Sequence, residues 1–284
     1  TFEYIGAPRS IFRQIRKLEP GHQLIWKRGH LKIKPYWKLK PAEEAWSEEA
    51  AAARLEELLS DSVRMRLISD VPLGAFLSGG IDSSVMVSLM AKHMNQPVKT
   101  FSIGFRESSY NELSYARAVA KKYDTDHHEY TLDTNALELT ETLMNYLDEP
   151  FGDFSIFPTY LVSKMARENV TVALSGDGGD ELFAGYDTYK AHLFDRKAYH
   201  LLPKIVKRYG CNRLADLLPP TPQKKGLINS YKRFIQGTRL PKTIMHARWM
   251  VFLSQVLRQR LFSEDSFQNM ESDDPYDIIH RYAG

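Results

Sequence analysis

The sequence predicts an α/β protein built on a parallel sheet with helices on both faces, followed by a helical carboxyl-terminal part. Three observations carry that reading. Short apolar runs alternate with helix-length amphipathic stretches between about residues 70 and 185. Two of those runs lead directly into glycine-rich, acid-bearing loops. Beyond Gly185 the periodicity becomes helical and irregular, interrupted by Pro203, Pro219, Pro220, Pro222 and Pro241. Strand followed by helix, repeated, leaves a parallel sheet as the simplest arrangement that buries every apolar face.

In chain order, a helical turn is expected near Ile11 to Leu18, then a hairpin. Gln23-Leu24-Ile25-Trp26 and Leu31-Lys32-Ile33-Lys34 flank a turn at Arg28-Gly29. Pro35 and Pro41 mark a linker, so a domain boundary is expected near Pro41. Ser47 supplies an N-cap for a helix in which Leu55, Leu58, Leu59, Val63 and Leu67 recur at helical spacing. Strands are expected over residues 73–77, 100–105, 128–132 and 170–175, with helices over 83–94, 112–123 and 157–168.

The run Ser78-Gly79-Gly80-Ile81-Asp82-Ser83-Ser84 directly follows the first of these strands. Gly79 and Gly80 remove side chains where the backbone leaves the strand, so main-chain N–H groups can close on an anion. Ser83 and Ser84 then open a helix, whose positive end suits phosphate. A Walker loop would require a lysine that is absent, which argues for grip on a pyrophosphate rather than on a transferable γ-phosphate. A carboxylate beside phosphates is repulsive unless a divalent cation intervenes, and Mg²⁺ prefers such oxygen ligands, which gives Asp82 a purpose. The fourth strand runs into Ser175-Gly176-Asp177-Gly178-Gly179-Asp180-Glu181. Its glycines permit close approach, and Asp177, Asp180 and Glu181 can supply metal ligands or a base. Taken alone this loop could equally be an acidic turn capping a helix near Asp180; two such loops at strand carboxyl ends are where α/β sheets collect ligands.

Composition excludes little more. Lys and Arg number 38 against 35 Asp and Glu, a net charge of +3 that gives no argument for nucleic acid. Cys211 is the single cysteine, so no intrachain disulfide forms, and no apolar run is long enough to span a bilayer. Lys204, Lys207, Arg208, Lys224 and Lys225 form a basic region that reads as a solvated face. His127-His128-Glu129 suggests a metal site only superficially, because neighbouring strand residues face opposite ways. Asn169-Val170-Thr171 matches a glycosylation sequon but enters a buried strand, and Cys211 reads as structural or exposed. Asp153, an acid among Phe151, Phe154 and Phe157, is either a capping carboxylate or part of the site.

With both loops in place, the chain resembles the glutamine-dependent asparagine synthetases. The resemblance is carried by Ser78 to Ser84, Thr100-Phe101-Ser102-Ile103-Gly104-Phe105, Glu149-Pro150-Phe151-Gly152-Asp153-Phe154-Ser155, and Leu174 through Tyr186. It reaches upstream, where Ala7-Pro8-Arg9-Ser10-Ile11-Phe12 and Leu18-Glu19-Pro20-Gly21-His22 look like the end of that family's glutaminase domain. What it implies is a fold of the adenine nucleotide alpha hydrolase-like, pyrophosphate-loop type in residues 42–284, after a glutaminase remnant and linker in residues 1–41. The chain looks like a piece of a longer protein, truncated at both ends. The resemblance implies ATP and Mg²⁺ as cofactors, aspartate or a related carboxylic acid as acceptor, ammonia from a glutaminase domain, no nucleic-acid or membrane partner and a cytoplasmic location, and it leaves a homodimer open. By family position, Phe76, Ile103, Ser175 and Gly176 contact adenosine, and Leu77 belongs to the ATP-binding set. Ser78, Gly79, Gly80, Ser83 and Ser84 hold pyrophosphate, Asp82 and Asp180 reach it through Mg²⁺, and Asp177 and Asp180 are the catalytic candidates. The family's amino-terminal nucleophilic cysteine has no counterpart, so glutamine hydrolysis is not expected; nor is there a segment matching its downstream catalytic lysine. The competing readings are the same chemistry on another acid, such as cell-wall or polymer components or a β-lactam precursor, and a nucleotide-binding module without catalysis.

Overall fold

The computed structural model of the chain describes residues 2–40, 44–106, 111–132, 136–219, 221, 226–266 and 274–283. The boundary expected at Pro41, and Pro220, Pro222, Lys224 and Lys225, lie outside them. The chain forms two compact units. One comprises Thr1–Leu39, Leu147–Asp153 and Ala184–Gly284, and the other Lys40–Tyr146 and Phe154–Phe183.

The second unit carries both loops. It begins with α1 (Glu48–Arg66), whose N-cap Ser47 accepts a hydrogen bond from the Ala50 amide and is followed by Glu48 and Glu49 in the first turn. Leu55, Leu59, Val63 and Leu67 turn inward as expected, whereas Leu58 stays exposed. Then follow β3 (Leu73–Phe76), α2 (Ile81–His93), β4 (Lys99–Phe105), α3 (Leu113–Lys122), β5 (Asp126–Leu132), α4 (Ala136–Met144), α5 (Ile156–Arg167), β6 (Val172–Leu174) and α6 (Gly179–Phe183). Among the described residues the main sheet has four strands, all parallel, in the order β5-β4-β3-β6. In chain order that is third, second, first, fourth, so the order of strand addition reverses between β3 and β6.

Alternation along the strands sends side chains to two cores. Ala75 and Leu77 pack with Val63 of α1, Val87 and Met90 of α2 and Ala116 and Ala120 of α3. On the opposite face Phe101, with Phe76 and Ile103 beside it, packs with Val162 and Ala166 of α5. Helices therefore cover both faces. β6 is shorter than expected because Val170 is still tied by its amide to Ala166 at the exit of α5. Nearby, the Asn169 side chain of the apparent sequon turns back to the Met165 carbonyl.

In the first unit, β1 (His22–Lys27) and β2 (His30–Pro35) form the expected hairpin, with Arg28 at φ 50° and Gly29 at φ 81° in the turn. The helical turn expected near Ile11 is not a helix. Ser10 captures the Phe12 amide and donates to the Ile15 carbonyl, and this side-chain bonding replaces the first helical turn. The carboxyl-terminal part contains α7 (Asp187–Lys197), α8 (Asn212–Leu217), α9 (Leu227–Thr238), α10 (Gln255–Leu261) and α11 (Asp277–Ala283). A π-helical turn, Val206–Cys211, runs directly into α8. Cys211 is half-buried beside Tyr199, Ala215 and Ile235, and Arg248 pairs with Asp195 at 2.5 Å, both buried.

Candidate functional site

The first loop leaves β3 through Leu77, whose amide bonds the Phe101 carbonyl at 2.9 Å and whose carbonyl accepts from buried Ser102. The residue that follows the strand is thus clamped on β4 before the chain turns. Gly79 adopts φ 82°, and a Cβ there would lie 2.5 Å from the Ala116 amide nitrogen, so no other residue fits against the start of α3. The serines then fold the loop on itself. Ser78 and Ser83 share a hydroxyl bond of 3.0 Å, the Gly80 amide donates to Ser78 Oγ, and Ser84 Oγ donates to the Gly80 carbonyl at 2.6 Å. Gly80 caps α2 in extended conformation without a side-chain cap, and the first intrahelical bond runs from the Ser84 amide to the Gly80 carbonyl. The amides of Ile81 and Asp82 precede it and point out of a positive helix end.

The second loop meets the first across the reversal point of the sheet. A Cβ on Gly176 would lie 2.7 Å from the Ser83 amide nitrogen, and one on Gly179 would lie 2.5 Å from Asp82 Cγ. The Asp82 carboxylate therefore rests against the backbone at the start of α6, one residue from Asp180. Ser175 Oγ donates to Asp177 at 2.9 Å, while Gly178, at φ 94°, has open space where its Cβ would stand. A loop that glycine keeps open beside a helix start, with two carboxylates contributed from facing segments, is chemically suited to polyphosphate with a hard cation. Among the described residues no three metal-binding side chains gather, so a cation held by Asp82 and Asp180 would take its other ligands from phosphate and water.

The adenosine candidates divide. Phe76 and Ile103 share one face of the sheet, and Phe76 opens onto a groove of about 740 Å³ that Tyr146, Tyr160, Lys164, Arg167 and Val172 also line. The Leu77 side chain is enclosed in the opposite core. Asp153 is exposed and belongs to the other compact unit, where Lys17 bonds both Glu149 and the Ile5 carbonyl. Sequence reading missed Ser102, whose one signal is a hydroxyl inside an apolar strand, and Tyr115-Ala116, which wall the Gly79 turn.

His127 and His128 do face opposite ways. His127 bonds Thr100 Oγ1 at 2.8 Å, and the His128 ring stacks on Phe101 at 5.2 Å. Burial pushes the His127 imidazole below its ordinary range. Glu129, forked by Arg117 at 2.7 and 2.8 Å, is held below the usual carboxylate range mainly by that hydrogen bond.

A doubly wound parallel sheet with two glycine-rich, carboxylate-bearing loops at its reversal point defines an α/β protein of the anion-cradling type. The asparagine synthase family model matches residues 54–272, and the chain belongs to that family. A putative glutamine-hydrolysing asparagine synthetase 2 of Methanocaldococcus jannaschii is 39% identical, over 80% of this chain and 44% of that protein. A glutamine-hydrolysing asparagine synthetase 1 of Bacillus subtilis strain 168 is 33% identical, over 80% of this chain and 36% of its own length. Amidase chyE of Penicillium rubens is 30% identical, over 81% of this chain and 35% of that protein. The chain thus spans less than half the length of these relatives.

Proposed function

We propose that this chain carries the ATP-dependent, amide-forming half-reaction of an asparagine synthetase. The side-chain carboxylate of aspartate attacks the α-phosphorus of ATP and pyrophosphate leaves; ammonia then attacks the activated carbonyl carbon and AMP leaves. Membership in the asparagine synthase family supports ligase chemistry, and one structural observation supports the assignment of the site: Asp82 of the first loop lies against the backbone of the second, next to Asp180. In this reading Ser78, Gly79, Gly80, Ser83 and Ser84 hold the pyrophosphate. Asp82 and Asp180 hold Mg²⁺, which neutralises the leaving charge when bound. Phe76, Ile103, Ser175, Gly176 and the Leu77 main chain border the adenosine. Asp177, exposed at the loop tip, takes the proton that ammonia releases or orients the acceptor. Ammonia comes from a glutaminase domain.

The test is calorimetric titration of Mg-ATP into the protein and into Asp82→Ala, with and without aspartate. Binding that needs both Mg²⁺ and Asp82, and that aspartate tightens, is the expected result. Unchanged affinity in Asp82→Ala would remove the metal assignment. A second reading keeps the chemistry and changes the acceptor, and relatives named amidase favour it; tightening by another carboxylic acid but not by aspartate would select it.

A further inference from the structure

The charge of this chain is distributed very unevenly. From Arg196 through Arg260 there are 15 lysines and arginines and one acid, Asp216, leaving 34 of the 35 acids elsewhere. Part of that excess is internal: Arg248 is buried against Asp195, Arg239 pairs with Asp216, and Lys207 and Lys232 donate to main-chain carbonyls. Lys204, Arg208 and Arg213 are different. All three are exposed, and among the described residues no carboxylate pairs with them. They sit on one continuous helix, which runs from residue 204 through the π-helical turn into α8.

Burial settles how that helix is oriented. Lys207, Cys211 and Ala215 face the core of their own unit, and the opposite side carries Ile205 at 67% exposure, Tyr209 at 59% and Leu217 at 77%. Leu201, 70% exposed, extends the apolar strip just before the helix. A merely solvated basic face would carry polar residues between its cations, whereas here the cations are interleaved with large aliphatic ones. Nucleic acid would call for stacking aromatics, of which this strip has only Tyr209. Cations interleaved with outward aliphatic groups on one helix are what an anionic lipid surface takes up in the headgroup region.

We infer that helix 204–217 docks this protein on an anionic bilayer surface, with Ile205, Tyr209 and Leu217 entering the acyl boundary and Lys204, Arg208 and Arg213 at the headgroups. Among the described residues no helix is long and apolar enough to cross a membrane, so the contact is superficial. It revises the reading of Lys204 and Arg208 as a solvated face and is independent of the ligase assignment.

The experiment is co-sedimentation of the purified protein with vesicles of phosphatidylcholine containing about one third phosphatidylserine, and with pure phosphatidylcholine, at low and physiological salt. Binding only to the anionic vesicles, weakened by salt, is expected. Arg208→Gln and Arg213→Gln should each lower partitioning about fivefold. Ile205→Ser and Leu217→Ser should each lower it about tenfold or more, because outward apolar area no longer leaves water. Arg64→Gln, an exposed change on α1, should leave it unchanged. These positions are exposed, so circular dichroism should show intact variants. Equal partitioning to both vesicle types, anionic binding that none of the four variants weakens, or capture of an oligonucleotide without vesicles would each overturn the proposal.

Discussion

Gly176 and Gly179 show how much of this site depends on what is missing from a residue. Alanine at 176 would place its methyl 2.7 Å from a backbone nitrogen, which cannot move without shifting the first turn of α2. Gly176→Ala should therefore weaken Mg-ATP binding tenfold or more and cost about 1–3 kcal/mol of stability, read by calorimetry and by denaturant midpoint. Gly178→Ala is the contrasting control. Its methyl meets nothing within 4 Å, so only the positive φ is penalised, and the fold should lose about 1–2 kcal/mol with no direct push on Asp82. Losing one charge-stabilising group typically costs about 2.7–4 kcal/mol of activation energy, so Asp82→Ala and Asp180→Ala should each slow adenylate formation by about 10²–10³. Pyrophosphate release followed at saturating ATP measures it. These loop residues were legible in the sequence because their chemistry is local: glycines, hydroxyls and acids stand within seven consecutive positions. The Asp195–Arg248 pair was not, since 53 residues separate partners that nothing in either neighbourhood marks. Asp195→Ala takes the carboxylate away from the buried Arg248 guanidinium and should cost about 3–5 kcal/mol.

Elements were readable wherever one face of the pattern met one core. α1 was legible from its Ser47 cap and its repeat of Leu55, Leu59 and Val63, and its end can be tested. Ser47→Ala removes the acceptor for the Ala50 amide and should cost about 1 kcal/mol in denaturant stability. β3 and β4 declared themselves as short apolar runs because both of their faces are buried. α4 escaped the sequence reading altogether. Among its described side chains only Leu143 is fully buried, where α4 packs with α5, and one such position gives no period to detect. At residues 11–18 the opposite error arose: the apolar spacing of Ile11, Ile15 and Leu18 was helical, but Ser10 spent its side chain on the local backbone instead. Strand order was beyond reach too. That β3 lies between β4 and β6, bringing the two loops face to face, depends on pairings across as many as about a hundred residues. Two glycine-rich loops in a sequence point to a site, and only the order β5-β4-β3-β6 shows why they meet.

For the molecule as a whole, the perturbed titratable groups of both units act in one direction on the acid side. Burial lowers the imidazoles of His127 and His192; the latter also faces the cations Arg196 and Arg248 and the neighbouring His246, with Asp195 opposing them. A histidine whose folded pKa lies below its unfolded value binds protons more readily when unfolded. Its penalty is absent above about pH 6.5 and grows as pH falls from there. Hydrogen bonds from Lys99 to Asp126 and from Arg117 to Glu129 lower those carboxylates, whose stabilisation is present above about pH 4.5 and lost as pH falls through the folded values. On the alkaline side burial raises Tyr199, Tyr231 and Tyr276, which favours the folded state's neutral phenols until the unfolded chain begins to ionise near about pH 10. Stability should therefore stand on a plateau between about pH 7 and 9, decline first below about pH 6.5 and more steeply below about pH 4.5. Urea midpoints across that range measure it. His192→Gln should flatten the first decline, since glutamine cannot take the proton, and Glu129→Gln should flatten only the second. A midpoint that rises on acidification from pH 7 would mean that pairing of histidines with carboxylates, such as His127 with Glu129 at 3.1 Å, outweighs their burial.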